Sequence, residues 1–300
     1  ETIVEPASSG VRLDVYLSER FTYQSRTGWQ ELVRAGRISV NGRAPRPSRR
    51  LNAGDLIRFD TEGIAEPDVD ASYRILLDSE LLLAADKPAP LPMHPGGCYF
   101  RNTLLSILEE RFGTLFPVNR LDRETSGISL FAKTPEAAAA LSRLFASRSI
   151  EKRYVAMVRG VFPEPLLCRG FLSSDPASPV RKKRRFTPED PGDGEFCETA
   201  FEPIRDDGAF SLVLCRPKTG RLHQIRATLR SIGFPLVGDK LYGPDDALFL
   251  RFLDDALTEE DRAELILPRQ ALHASLLAFS SPFDGTEIRL ESPAPFSLPG

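Results

Sequence analysis

Asp122 stands between two arginines in the run Asn119-Arg120-Leu121-Asp122-Arg123-Glu124-Thr125-Ser126-Gly127. A cation on either side favours the ionised carboxylate. A carboxylate kept charged suits nucleophilic or electrostatic work better than proton donation. Taken alone, the same pattern also describes an ordinary surface ion network. Two further segments bear on it. Lys152-Arg153-Tyr154 reads as strand, so Lys152 and Tyr154, two apart, share a face. The phenol there is suited to stacking on a base or relaying a proton, and the ammonium to a phosphate. Lys218-Thr219-Gly220-Arg221-Leu222-His223-Gln224-Ile225-Arg226 reads as a turn entering a helix, whose first amides and two arginines favour an anion. Read singly, His223 is a satisfied structural histidine and Ile225 a core residue.

The elements that must position these residues follow from periodicity and turn chemistry. Strands are expected at 75–77, 81–85, 128–132, 153–159, 197–204, 210–215, 274–280 and 287–290, and helices at 102–111, 135–147, 222–231 and 247–256. Thr134 before Pro135 is a good N-cap followed by a favourable first helical residue. Hairpin-like strands mixed with separate helices indicate an α+β fold with a mixed, largely antiparallel sheet. Ahead of it lies a smaller α/β unit. It has helices at 11–17 and 27–35 and a strand at 38–40 that turns at Asn41-Gly42, a hairpin signal, with a second strand by 59. Residues 63–72, acidic and poor in large apolar groups, read as a linker. The division expected is therefore 1–62, linker 63–72, and 73–300.

Composition excludes several function classes. With 41% hydrophobic and 27% charged residues the chain is globular rather than disordered. No apolar run approaches the roughly 20 residues that cross a bilayer. Glu1 to Glu5 is too polar for a signal peptide, so a soluble cytoplasmic protein, mildly favoured as a monomer, is the default expectation. Cys98, Cys168, Cys197 and Cys215 are scattered, and His94, His223 and His273 never fall at ligand spacing, so no metal is expected. Neither a Gly-x-Gly-x-x-Gly nor a Walker-type loop is present, which leaves dinucleotide and NTP chemistry without support. The net charge of −3 is unlike that of most nucleic-acid binders, but it is segregated. Residues 11–59 hold ten arginines against four acidic residues, 181–185 are all basic, and 244–269 hold eight acidic residues against three arginines. Segregation of this kind attracts phosphate locally while the total stays near neutral.

Together the segments around Asp122, Tyr154 and Arg226 resemble the RluA-type family of RNA pseudouridine synthases. Members commonly carry His-Arg-Leu-Asp-x-x-Thr-Ser-Gly, then Lys-x-Tyr, then Gly-Arg-Thr-His-Gln-Ile-Arg. The likeness extends over most of 73–290, including Asp86-Lys87-Pro88 and Gly238-Asp239-Lys240-Leu241-Tyr242-Gly243. The unit over 11–60 resembles S4 RNA-binding domains, a familiar companion of that catalytic domain. The resemblance implies Asp122 as catalytic carboxylate, Tyr154 stacking on the ring, and Arg226, or less surely Arg221, as the ion-pair partner of Asp122. Ile225 would pack under the base and Arg120 fill the space left by a flipped nucleotide, with Lys152, Arg221 and His223 also on the substrate. In the S4-like unit Arg12, Arg26, Arg34, Arg37 and Arg43 are the expected RNA contacts. The partner implied is RNA, ribosomal ahead of transfer RNA, and no cofactor is needed. Whether Asp122 attacks the sugar or removes a sugar proton stays open.

Two departures stand out. Asn119 replaces the usual His, and Leu222 the usual Thr. Asn keeps a hydrogen bond but carries no proton. The competing reading is an S4-tethered RNA-binding protein without catalysis, which Asn119 favours and the intact Asp122, Lys152, Tyr154 and Arg226 oppose. A carboxylate-dependent glycoside hydrolase is the other, and needs a paired acid for which Glu124 is the sole nearby candidate.

Overall fold

The structure is a computed structural model describing residues 1–21, 25–62 and 65–298. The chain forms two compact units, one of Glu1–Asp68 with His94–Ser106 and one of Val69–Met93 with Ile107–Gly300. The first two residues of the expected linker and the last two of the expected 73–300 segment lie outside the described residues.

In the first unit, β1 (Thr2–Ile3), β2 (Ile38–Val40) and β3 (Leu56–Phe59) form an antiparallel sheet in the order β1-β3-β2. Helices α1 (Leu13–Arg20) and α2 (Arg26–Arg34) pack with it through Leu13, Leu17, Trp29, Val33 and Ile57. Helix α2 starts where Ser25 can cap it, its hydroxyl accepting from the Gly28 amide at 3.1 Å. Asn41 and Gly42 do adopt the positive φ values, 53° and 73°, that a tight hairpin turn needs. The turn closes only the Val40–Arg43 bridge, and β2 takes β3 as its partner. Asn41 makes that pairing: its side chain donates to Asp55 and accepts from the Leu56 amide, at 2.7 and 2.8 Å. Glu66, on the expected linker, accepts the amides of Phe100, Arg101 and Asn102 at 2.7 to 2.9 Å.

The second unit is built on one sheet. Its strands are β4 (Arg74–Asp78), β5 (Leu82–Lys87), β6 (Phe116–Pro117), β7 (Ser126–Ala132), β8 (Glu151–Arg159), β9 (Leu166–Ser174), β10 (Arg184–Thr187), β11 (Glu195–Asp206), β12 (Phe210–Pro217), β13 (Leu272–Ser280) and β14 (Glu287–Glu291). The order is β10-β9-β11-β12-β8-β13-β7-β5-β4, with β14 on β13 and β6 on β7. Among the described residues every pairing is antiparallel except β13 with β7, which are parallel through His273–Ser126 and Ala274–Gly127. Helices α3 (Leu104–Phe112), α4 (Pro135–Ala146), α5 (Gln224–Ser231), α6 (Asp246–Leu253) and α7 (Glu259–Leu265) interrupt the strands. One apolar cluster joins Val158, Phe201, Val213, Ile225 and Leu229; another joins Leu82, Ile128, Leu130, Leu141 and Phe279. The α+β class with a large, mostly antiparallel sheet is the one read from the sequence.

Five strands and helices were not expected: β1 and β6, each two residues long, and β9, β10 and α7. Strand β10 takes up the last two residues of the basic run, Arg184 and Arg185, with Phe186 and Thr187; at the edge of the sheet, it pairs with β9 among the described residues and tolerates charge. Strand β9 buries few side chains along its first half and so lacks a clean alternation. Helix α7 carries a reciprocal capping box between Thr258 and Asp261, a signal present in the sequence but hidden by the acidic run around it.

Candidate active site

Asp122 lies in the short loop that leads into β7, and Tyr154 on β8 with β13 between the two strands. Helix α5 follows β12, and Gln270 lies two residues before β13. The central strands thus deliver side chains that are far apart in sequence to one end of the sheet.

Arg226 is the centre of the charge arrangement. Its Nη1 donates to Asp122 Oδ2 at 2.6 Å, while Nε and Nη2 form a fork on the two oxygens of Asp239 at 2.7 and 2.9 Å. Its guanidinium also lies 5.0 Å from the Tyr242 ring centroid. Asp239, fully buried, accepts the amides of Leu241 and Tyr242 as well, both at 3.0 Å. Burial is the largest influence and works to raise the pKa of both carboxylates, but the Arg226 charge and the hydrogen bonds they accept together hold each below its ordinary value. Burial opposes the Arg226 charge in turn, and the two carboxylates more than compensate.

The loop carrying Asp122 is held on all sides. The buried Lys87 ammonium donates to the carbonyls of Leu91, Pro88 and Arg123 at 2.7, 3.1 and 3.2 Å. Burial pushes its pKa down to about 7. Gln270 donates to Thr125 Oγ1 at 2.5 Å and reaches Asp122 Oδ2 at 3.5 Å. Lys240 grips both oxygens of Glu124 at 3.0 and 2.9 Å. Asn119 donates to the Ile128 carbonyl at 3.1 Å and accepts the Leu130 amide at 2.7 Å, so it staples the loop to β7. Tyr154 packs against the apolar cluster that contains the buried Ile225. Burial, with Asp122 next, pushes its pKa up to about 12, so the phenol keeps its proton at neutral pH. His223 sits at the N-cap of α5, its Nε2 at 3.9 Å from Asp122 Oδ1, and burial lowers its pKa to about 4.

A protein family described as RNA pseudouridylate synthase matches residues 81–231, and the S4 domain matches 11–57. Over 309 aligned residues the chain is 32% identical to the ribosomal large subunit pseudouridine synthase D of Xanthomonas campestris pv. campestris, covering 99% of this chain and 90% of that one. This chain belongs to the RNA pseudouridylate synthase family. Human pseudouridylate synthase RPUSD2 is 37% identical over 75% of this chain, which spans only 41% of it. The mitochondrial tRNA pseudouridine(32) synthase of Saccharomyces cerevisiae is 31% identical over 78%, with half of its length spanned. The solved structure of human RNA pseudouridylate synthase domain containing 4 superposes with a TM-score of 0.57 at 25% identity, covering 74% of this chain and 88% of that one. That of domain containing 1 gives 0.60 at 24% identity over 78% and 88%, a likeness of fold.

Within this synthase-family unit the structure sorts the residues named from sequence. Asp122, Tyr154, Ile225, Arg226 and His223 form one constellation. Arg221 does not join it: its side chain is exposed, pairs with Glu195 at 3.2 Å and donates to the Phe196 carbonyl. The anion site expected at the start of α5 is likewise not formed by these arginines, because Arg226 is committed to carboxylates. Lys152 donates to the Thr219 carbonyl at 3.3 Å. Arg120 is exposed and, among the described residues, makes no hydrogen bond or ion pair. Glu124, bound by Lys240 and by Arg123 at 3.2 Å, is not open as a second acid. Leu222, standing for the usual Thr, is exposed, and nothing in the structure explains that exchange.

In the S4 unit the five arginines divide. Arg12 and Arg26 both bind the buried Asp14 at 3.0 Å, and Gln30 joins them at 2.7 Å. Arg34 donates to Gln30, and Arg37 to Asp60 and the Glu62 carbonyl. Arg43 is exposed with, among the described residues, no side-chain partner. Sequence reasoning gave no role to Lys87, Asp239, Lys240, Tyr242 or Gln270. The stretches Asp86-Lys87-Pro88 and 238–243 were a signal for all but Gln270, which has none in the sequence. Among the described residues no cluster of His, Cys, Asp and Glu is placed to hold a metal, and no helix is long and apolar enough to cross a membrane.

Proposed function

We propose that the chain converts uridine to pseudouridine in structured RNA, with Asp122 as the reacting carboxylate. The observation that carries it is the Asp122–Arg226 pair at 2.6 Å, inside the span matched by the synthase family. It supplies an ionised carboxylate, held in place and partly open to solvent. The target uridine must leave its stack to reach it, at a cost of a few kcal/mol offset by stacking on Tyr154 and Ile225. Arg120 then fills the vacated place. The C1′–N1 bond breaks and the uracil leaves with the bonding pair, Asp122 assisting by attack at the sugar or by removing a sugar proton. The ring turns between Tyr154 and Ile225, and C5 bonds to C1′ as the Asp122 ester breaks or, on the other route, as the abstracted proton returns to the sugar. The C5 proton then goes to a base in the site, and N1 regains a proton. Phosphates flanking the uridine are met by Arg120, and the exposed basic groups of the S4 unit bind RNA phosphates on their own account.

Ribosomal RNA is the favoured substrate. Three relatives spanned over 84 to 90% of their length are named ribosomal large subunit pseudouridine synthase D, while the tRNA enzyme is spanned over only half. Tritium release from RNA labelled at uracil C5 tests the reading on separate pools of ribosomal and transfer RNA. Wild type should release label from the ribosomal pool, and Asp122→Asn should not. Salt-sensitive RNA binding by a wild type that releases nothing would sink the synthase reading and leave a binding protein.

A further inference from the structure

The two oxygens of Asp122 have different surroundings. Oδ2 is taken by Arg226, with Gln270 at 3.5 Å. Oδ1 faces His223 Nε2 at 3.9 Å. The other nitrogen of that ring, Nδ1, lies 3.0 Å from Tyr242 Oη, and the rings meet edge to face at 86° with centroids 5.6 Å apart. The phenol oxygen in turn accepts the Arg184 amide at 3.0 Å. An amide can only donate, so it uses a lone pair of the phenol and leaves the hydroxyl proton to be placed. Among the described residues, Nδ1 is the acceptor within reach of that proton. Nδ1 therefore accepts, and the imidazole proton lies on Nε2, toward the carboxylate. The opposite tautomer would set a lone pair against Asp122 and leave the phenol proton without an acceptor. The charges facing the ring are Arg226 and Lys182 on one side of the balance, Asp122 and Asp239 on the other. Burial leads them in keeping the imidazole neutral.

We infer that His223 is a positioning residue for Asp122, locked by Tyr242 as the neutral Nε2–H tautomer, and that Oδ1 is the reacting oxygen. This rests on the synthase reading. Arg226 and Gln270 fix one end of the carboxylate; the imidazole N–H limits its rotation at the other and favours its charged form. At 3.9 Å the donor is poised rather than engaged, as donors in unliganded sites often are before substrate tightens them. Tyr242 also links the site to β10 through the Arg184 amide, so the basic strand at the sheet edge feels the state of the imidazole.

Nitrogen NMR of the ring-labelled full-length protein reads the tautomer directly, and only His94 and His273 share the spectrum. The expected result is a pyridine-type Nδ1 and a pyrrole-type Nε2 for His223 from about pH 5.5 to 8. Tyr242→Phe keeps the ring but loses the lock, and should give mixed tautomers. Its kcat should fall about tenfold, the worth of one hydrogen bond, with KM within about twofold. His223→Gln, which keeps an N–H, should retain more kcat than His223→Leu. An Nδ1–H tautomer or an imidazolium at pH 7 in wild type would overturn the inference, as would equal kcat in the Gln and Leu variants. The spectrum needs no turnover. A wild type that releases no tritium sinks the synthase reading alone, and an active wild type with the wrong tautomer sinks only this inference.

Discussion

Arg226 serves two carboxylates, and they are not equivalent. Asp239 is wholly buried and also anchors two amides, whereas Asp122 keeps part of its side chain open to solvent. Removing one partner of a buried pair is costly because it strands the other charge. Asp239→Asn should thus lower stability by about 3 kcal/mol in urea unfolding. Asp122→Asn, which leaves Arg226 its fork on Asp239, should cost clearly less while abolishing tritium release; equal costs would remove Asp239 as the anchor. His223 gives a pH dependence. Its pKa falls from 6.5 to about 4 in the fold, so the unfolded chain binds a proton that the folded chain refuses in that interval. The stability is full above pH 6.5 and is lost as pH falls toward 4, by about 3 kcal/mol as an upper bound. The urea midpoint of His223→Gln should therefore decline less than that of wild type between pH 6.5 and 4, and parallel declines would refute the linkage. At this scale the pairing of Asp122 with Arg226 was expected from the resemblance of their motifs, and the fold brings the two together at 2.6 Å; read singly, each segment described an ordinary ion network or strand face equally well. Gln270 was not legible, since its partners lie 148 and 145 residues away and a lone glutamine has no local signature.

The elements act as clamps on one loop. Strand β7 carries it, β13 lies beside β7 in parallel, and Gly127 stands opposite Ala274. At φ 110°, Gly127 has a backbone that L side chains avoid, and a Cβ there would collide with the backbone of Ala274. Gly113, at φ 74°, faces open space. Gly113→Ala should cost about 1 kcal/mol, the strain of a left-handed residue. Gly127→Ala should cost more and should also lower kcat, because the shift reaches the Asp122 loop; calorimetry and tritium release on the pair separate strain from collision. Most strands were legible from alternation, and helices from caps such as Thr134 before Pro135. The basic edge strand β10 was not, because charge tolerated at an edge reads as a solvated loop. In sequence Asn119 was a departure that keeps a hydrogen bond but carries no proton. In the fold it works as a two-sided staple of the loop to β7.

Across the whole molecule, positive charge is divided between groups that hold the fold and groups left for a ligand. Arg12 and Arg26 brace Asp14, whereas Arg43 and Arg120 are exposed and, among the described residues, unpaired. Each phosphate contact contributes roughly 0.7 to 0.9 to the slope of log affinity against log salt. Arg43→Ala and Arg120→Ala should each flatten that slope by about one, with stability unchanged. Arg12→Ala should instead lower stability and leave the slope nearly unaltered. Identical slopes in all three variants would overturn this division. Composition alone could not make it, since ten arginines over 11–59 look alike until their partners are known.

The parallel pairing of β13 with β7 has a consequence for synthesis. A hairpin can close as soon as its second strand is made, but β7 must wait for β13, whose first contacts with it, His273 and Ala274, come long after Ser126 and Gly127. Gln270 and Arg226, which finish the surroundings of Asp122, are also late. A ribosome making this chain therefore carries an unfinished carboxylate loop through most of translation, and the site comes into being only when residues 270–280 have emerged.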